Sequence, residues 1–138
     1  MIKLITLEKA IKAAEKAVKT ATELGIAVTV TIVDEHGTLI CVNRMENAIP
    51  ISPKFSYAKA YTSAVLGAAS GDLAQYSGEG QPYFGTTSAF GGELMVIAGG
   101  LPVKKSGRIV GGVGVGGSMD VSQDVECAKA AVKVLEED

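Results

Sequence analysis

The stretch from Gly99 to Gly117, GGLPVKKSGRIVGGVGVGG, constrains the fold more than any other, because eight of the chain's 17 glycines fall in it. Ser106-Gly107 separates two strand-like runs, which is a hairpin signal. In the second run, alternation predicts Ile109, Gly111, Val113, Val115 and Gly117 on one face and Val110, Gly112, Gly114 and Gly116 on the other. Three glycines on one face leave bare backbone, open to close approach by a packed helix or by a ligand. Glycine also weakens a strand, so packing or function must offset that cost. Gly112, Gly114 and Gly117 match G-x-G-x-x-G, but a dinucleotide site needs a strand, a helix and a second parallel strand after the motif. Only one helix-length segment remains before the end of the sequence, so the match carries no such reading.

A chain of 138 residues predicts a single domain, 1–138, with a real core. Hydrophobic residues make up 47% and charged residues 20%, a globular composition. No apolar run reaches the length of a membrane span. The N-terminal pattern is helical and carries Lys and Glu, unlike a signal peptide. The expectation is a cytoplasmic protein with no membrane partner. A net charge of −2 and the absence of Trp give no case for nucleic acid. Cys41 and Cys127 are expected to be buried, unpaired thiols. One histidine, His36, is too few for an all-protein zinc or iron cage.

Thr6 can cap a first helix that Gly25 stops. Ile26 to Val33 is a β-branched strand, with Val28, Val30 and Ile32 on one face and Thr29 and Thr31 on the other. Asp34-Glu35-His36-Gly37 turns it into a returning strand, Thr38 to Asn43. Ser52-Pro53 starts a second helix running to about Ala69, with Ser52 as its cap. A short helical turn is expected near Leu73 to Tyr76. The irregular loop Ser77–Gly92 is long enough to suggest function. Glu93 to Ala98 is expected to be a third strand, ahead of the two strands of the glycine-rich hairpin. Asp120 caps a last helix, Val121 to Glu136, with Gln123 at the capping-box position. Strands in sequence separated by helices predict an α/β fold in α+β order, a five-stranded antiparallel sheet with helices on both faces.

The segments VTIVDEHG, TLICVNRMENA, YAKAYTSA, AGGLPV and GRIVGGVGVGG, in that order, resemble the GlcG/HbpS family of haem-binding proteins. The same domain forms the C-terminal part of PduO-type proteins and stands alone in glycolate- and diol-utilisation gene clusters. The resemblance covers about Gly25 to the C-terminus. It implies a profilin-like three-layer architecture, homo-oligomers and, for several members, bound haem. The adenosyltransferase chemistry of full PduO proteins belongs to a different domain and is not implied. Members differ in their axial haem ligand: some use His, and another uses a Thr in the helix equivalent to the one containing Thr62. In this chain only His36 offers an imidazole.

Several residues carry both a functional and a structural reading. His36 is the candidate haem axial ligand or a general base, or else an exposed turn residue. Asp34 either closes the turn or anchors a ligand at a pocket mouth. Arg44 either forks a carboxylate or pairs with an acid at a surface. Lys59 is either desolvated and shifted in pKa or extended to water. Gly116, Gly117 and Ser118 form either an anion nest or a strand-to-helix turn closed by Asp120. The expected site lies between the second helix and the hairpins, lined by Arg44, Lys59, Thr62 and the Ser77–Gly92 loop, with Gly114, Gly116 and Gly117 as bare backbone beside it. The expected function is a binding module for haem or a related tetrapyrrole, with no catalytic residue assigned. The alternative is a small enzyme acting on an organic acid, with Lys59, Asp34 or His36 moving protons and Arg44 holding the carboxylate.

Overall fold

The computed structural model describes residues 4–138. Helix α1 spans Leu7–Leu24, strand β1 Thr29–Asp34, strand β2 Leu39–Arg44 and helix α2 Ser52–Leu66. A 3-10 turn at Ser70–Leu73 leads into the one-turn helix α3, Ala74–Ser77. Two further 3-10 turns, Thr86–Ser88 and Phe90–Gly92, follow. Strand β3 is Gly100–Lys105, β4 is Arg108–Gly116, and helix α4 is Val121–Glu136. The sheet is antiparallel throughout, in the order β2-β1-β4-β3. Helix α2 covers one face, and the paired helices α1 and α4 cover the other.

The four strands correct the expected five. Glu93 to Ala98 joins no ladder: Glu93 has helical backbone angles, Ile97 and Ala98 form a bend, and side chains take up two of the segment's backbone groups. Met95 N donates to Thr62 Oγ1 at 2.8 Å, and Ser70 Oγ donates to the Ile97 carbonyl at 2.7 Å. The sheet begins again only at Gly100. The two-residue turn between β3 and β4 places Ser106 at φ 50° and Gly107 at φ 77°, the doubly left-handed geometry that suits strand twist.

The glycine face of β4 receives α2. Gly112, Gly114 and Gly116 lie beside Val33, Thr31 and Thr29 of β1, and Gly100 lies beside Gly114 from β3. A Cβ on Gly114 would stand 2.0 Å from the Ser56 carbonyl oxygen, and one on Gly112 2.4 Å from that of Ala60. Helix backbone thus rests on strand backbone. The helix contributes small residues, Ser52, Ser56, Ala60, Ser63 and Ala64, all buried. Thr29 Oγ1 and Ser52 Oγ are hydrogen-bonded at 2.7 Å, as are Thr31 Oγ1 and Ser56 Oγ. Ser52 therefore sits inside the helix as a strut to the sheet; Ile51 holds the cap position.

The opposite face is apolar. Val30, Ile32, Val113 and Val115 pack with Ala10, Ala13, Ala14, Ala17 and Ala21 of α1 and Cys127, Ala128, Ala131 and Leu135 of α4. Strict alternation along β4 fails at one place. Val103 pairs with Gly111 and Lys104 with Ile109, so Val110 is a bulge. The extra residue turns Val110 into the α1/α4 core and sets Ile109 against Gly67 at the end of α2.

Thr6 caps α1 by accepting from Lys9 N at 3.1 Å, and Gly25 ends it in the left-handed conformation. Asp120 caps α4 by accepting from Ser122 N at 3.0 Å. Gln123 departs from the capping-box expectation: its Oε1 accepts from Ser118 Oγ, and Ser118 Oγ accepts from Asp120 N.

Gly114→Ala is expected to destabilise the fold by about 1–3 kcal/mol, since the added methyl must push helix backbone off the sheet. Urea denaturation measures this. A midpoint equal to the parent's would contradict the close seating of α2.

Candidate functional site

Lys59 lies in the middle of α2, at 2% exposure. Because the helix sits so close to β4, its side chain runs along the strand end past Gly99, whose φ is +130° and whose Cβ would meet Lys59 Nζ at 2.8 Å. Nζ donates to the Val115 carbonyl at 2.9 Å and to Asp124 Oδ2 at 3.2 Å, with the Phe55 ring centroid 5.7 Å away. Asp124, 1% exposed, also accepts from Ser118 N through Oδ1 at 3.1 Å. Burial lowers the Lys59 pKa and raises that of Asp124, while the charge of each works against the other's shift. The pair ties α2, the end of β4 and α4 together. Sequence reasoning missed Asp124, though a carboxylate at i−3 and i−4 from Cys127 and Ala128, on the apolar stripe of α4, was the available signal.

The remaining expected site residues separate. Thr62 is fully buried and accepts from Met95 N. It does meet the Ser77–Gly92 loop, in a cleft of about 10 Å³ with Leu66, Leu73, Tyr83, Thr86 and Leu94, too small for more than a water. Arg44 is exposed at the end of β2 and makes no ion pair among the described residues. Gly114 and Gly116 face α2, and a Cβ on Gly117 would stand 2.7 Å from the Ala27 carbonyl oxygen, so the three glycines offer no open surface to a ligand. The Ser118 N–H of the expected anion nest is taken by Asp124. Arg44, Lys59, Thr62 and the glycines therefore form no common cavity, because the space between α2 and the sheet is filled by backbone contact.

The β1–β2 turn is built by Asp34, whose Oδ1 accepts from His36 N at 2.8 Å and Thr38 N at 2.9 Å. This leaves the His36 side chain 80% exposed, with Nε2 3.5 Å from Glu35 Oε1. The next residue, Gly37, abuts α2: its carbonyl accepts from Tyr57 Oη at 3.2 Å, and a Cβ there would overlap the Tyr61 ring. The two tyrosine rings lie 6.1 Å apart. A hydrogen bond from Tyr61 to Glu93 and, secondarily, burial raise the Tyr61 pKa. Leu39 and Val65, both partly exposed, border this tip in sequence and on α2. Arg44 stands at the far end of β2, roughly 17 Å away at ~3.3 Å per residue. The organic-acid alternative pairs Arg44 with Lys59, Asp34 or His36; Asp34 and His36 stand at the opposite end of β2 from Arg44, and Lys59 is buried against Asp124. Among the described residues, no group of three or more His, Cys, Asp or Glu could hold a metal ion. Both cysteines are free thiols; Cys127 is buried and its pKa is pushed up to about 11 by burial, whereas Cys41 is only half-buried.

A family model described as haem degrading protein HbpS-like matches residues 5–133. The chain belongs to the HbpS-like family. It is 31% identical over 119 residues to the corrinoid adenosyltransferase PduO of Salmonella typhimurium, 86% of this chain and 35% of PduO. It thus spans about a third of the length of that relative. It is also 31% identical to an uncharacterized 15.0 kDa protein from the dhaT-dhaS intergenic region of Citrobacter freundii, covering 96% of this chain and 93% of that protein. Among solved structures, a PduOC:heme complex superposes with a TM-score of 0.91 at 27% identity, covering 98% of this chain and 100% of the other. No helix among the described residues is long and apolar enough to cross a membrane.

Lys59→Met alone leaves a buried carboxylate without its partner and is expected to cost about 3–5 kcal/mol, whereas Lys59→Met combined with Asp124→Leu costs clearly less. Chemical denaturation of these two variants and of Asp124→Leu alone checks this. A double variant as unstable as the sum of the two single changes would show that the pair is not coupled.

Proposed function

We propose that this chain is a binding module for haem or a related tetrapyrrole and has no catalysis of its own. The observation that carries the reading is the likeness of the whole fold, at 27% identity, to a PduOC protein solved with haem. The donor chemistry of the β1–β2 tip fits such a ligand. His36 presents an exposed imidazole, with the neighbouring Glu35 at 3.5 Å, beside a turn that rests on Tyr57 and Tyr61. There His36 would supply the axial nitrogen, and the tyrosines and Val65 an aromatic and apolar wall. Haem, when bound, supplies the redox and ligand-binding chemistry of its iron. The chain's own part is to hold the imidazole in place, through the two backbone bonds that Asp34 accepts.

One copy leaves this tip open to water. Leu39 and Val42 on the edge strand β2 and Tyr57, Val65 and Leu66 on α2 are exposed. The proposal therefore includes a homo-oligomer in which these side chains are covered. It also includes a cytoplasmic setting in glycolate or diol utilisation, where the resemblance puts stand-alone members.

Haemin titration is expected to give a shifted Soret band, and His36→Ala is expected to abolish a six-coordinate low-spin spectrum while Arg44→Ala leaves it intact. A parent protein that produces no Soret shift contradicts the haem reading. An unchanged spectrum in His36→Ala contradicts the ligation. Sedimentation at micromolar concentration is expected to return at least a dimer mass, and a monomer mass removes the oligomer.

A further inference from the structure

Residues 78–92 form a unit of their own. Their turns close on one another: Phe84 N donates to the Gln81 carbonyl, Thr86 N to Tyr83, Ser88 N to Gly85 and Gly92 N to Ala89, while Tyr83 N reaches back to Tyr76. Among the described residues, none of their hydrogen bonds leaves the span 76–92. No residue of the unit is buried, and only Thr86 and Ala89 are half-buried. A Cβ on Gly78, Gly80, Gly85 or Gly91 would meet nothing within 4 Å. Phe90 is exposed and held at φ 53°, the left-handed region that strains an aromatic residue. A segment held by so few buried contacts opens at low free energy.

What lies beneath the unit is held separately. The bond from Met95 N to Thr62 and the bond from Ser70 to the Ile97 carbonyl pin the following segment to α2 and to the 3-10 turn at Ser70–Leu73. Leu94 and Val96 are thereby fixed beside Leu66 and Leu73 without any help from residues 78–92. These four aliphatic side chains make a hydrocarbon floor, and the one hydroxyl of that floor, on Thr62, is already engaged by Met95 N. Tyr83, Thr86 and Thr87 close over it and leave only the cleft of about 10 Å³. Tyr83 lays a ring along the cleft while staying 47% exposed.

We propose that residues 78–92 are a lid that swings away as one piece and uncovers a pocket for a small uncharged aromatic molecule on the floor of Leu66, Leu73, Leu94 and Val96. Gly78, where α3 ends, and Gly91 and Gly92, at φ 70° and 77°, are its hinges. Opening breaks no hydrogen bond to the body; it gives up apolar contact, which an incoming ring restores. The floor already takes the ring of Tyr83, so a ring of similar size is what it accepts in exchange. The pocket shares no residue with the imidazole, tyrosines and Val65 assigned to haem, and the two sites are tested apart.

Fluorescence titration of the full chain with N-phenyl-1-naphthylamine, an uncharged aromatic probe, tests the pocket. The parent is expected to bind it with a rise in emission. Gly91→Ala makes the closed hinge costly and is expected to tighten binding roughly fivefold by favouring the open lid. Leu94→Gln is expected to weaken binding about tenfold. The isosteric Val96→Thr, which places a hydroxyl in the same floor, is expected to weaken it too and keeps the test intact where Leu94→Gln does not fold. Phe84→Ser with Phe90→Ser, on the outer side of the lid, and His36→Ala are expected to bind as the parent does. Hydrogen exchange is expected to show the amides of Phe84, Thr86, Ser88 and Gly92 opening together, with far lower protection than Met95. The proposal is overturned if neither the parent nor Gly91→Ala binds the probe, if binding survives both floor variants, or if the Phe84/Phe90 pair abolishes it. Lid amides as protected as Met95 also overturn it.

Discussion

The structure depends on the contact between the backbone of α2 and the glycine face of β4. A helix normally stands about 10 Å off a sheet, because side chains fill the gap. Here Gly100, Gly112, Gly114 and Gly116 remove the side chains on one side, while Ser52, Ser56, Ala60 and Ala64 shorten them on the other. Each glycine in a strand costs roughly 0.5–1 kcal/mol relative to alanine in chain entropy. The dense contact, and the hydroxyl pairs of Thr29 with Ser52 and Thr31 with Ser56, offset that cost. Those pairs also fix the register of the helix along the sheet, since a shift by one residue would leave Thr29, Thr31 and Ser52 buried without these partners, while Ser56 Oγ would keep only its bond to the Pro53 carbonyl.

The close seating explains where Lys59 goes. A long side chain on this face of α2 cannot point into a sheet that touches the helix, so it follows the strand to its end. There Gly99 leaves room for it, and the Val115 carbonyl and Asp124 receive its charge. Asp124 in turn holds Ser118 N, which shapes the turn into α4. One compact contact thus propagates through a buried ion pair to the helix on the other face. The residue that looked most like a desolvated catalytic lysine serves to join the layers.

Much of this was legible in the sequence, and the failures have physical causes. Helix ends marked by Thr6, Gly25 and Asp120 were readable because capping is local chemistry. The alternation of β4 placed Gly112, Gly114 and Gly116 on one face, but bare backbone accepts a helix or a ligand equally well, and only the tertiary structure decides between them. Glu93 to Ala98 has strand composition, yet Thr62 and Ser70 capture its backbone groups, a competition between residues far apart in sequence. The bulge at Val110 broke the simple alternation because it depends on pairing with Val103 and Lys104.

The β1–β2 tip with His36 sits on a scaffold whose rigidity comes from the α2–β4 contact, so the rigidity is the claim to test. Native-state hydrogen exchange followed residue by residue measures it most directly. The account predicts that the amides of Ser56 to Ser63 in α2 and Gly112 to Val115 in β4 exchange together, by global unfolding and with the highest protection in the chain. Exchange of the α2 amides through a separate local opening, much faster than β4, would contradict it.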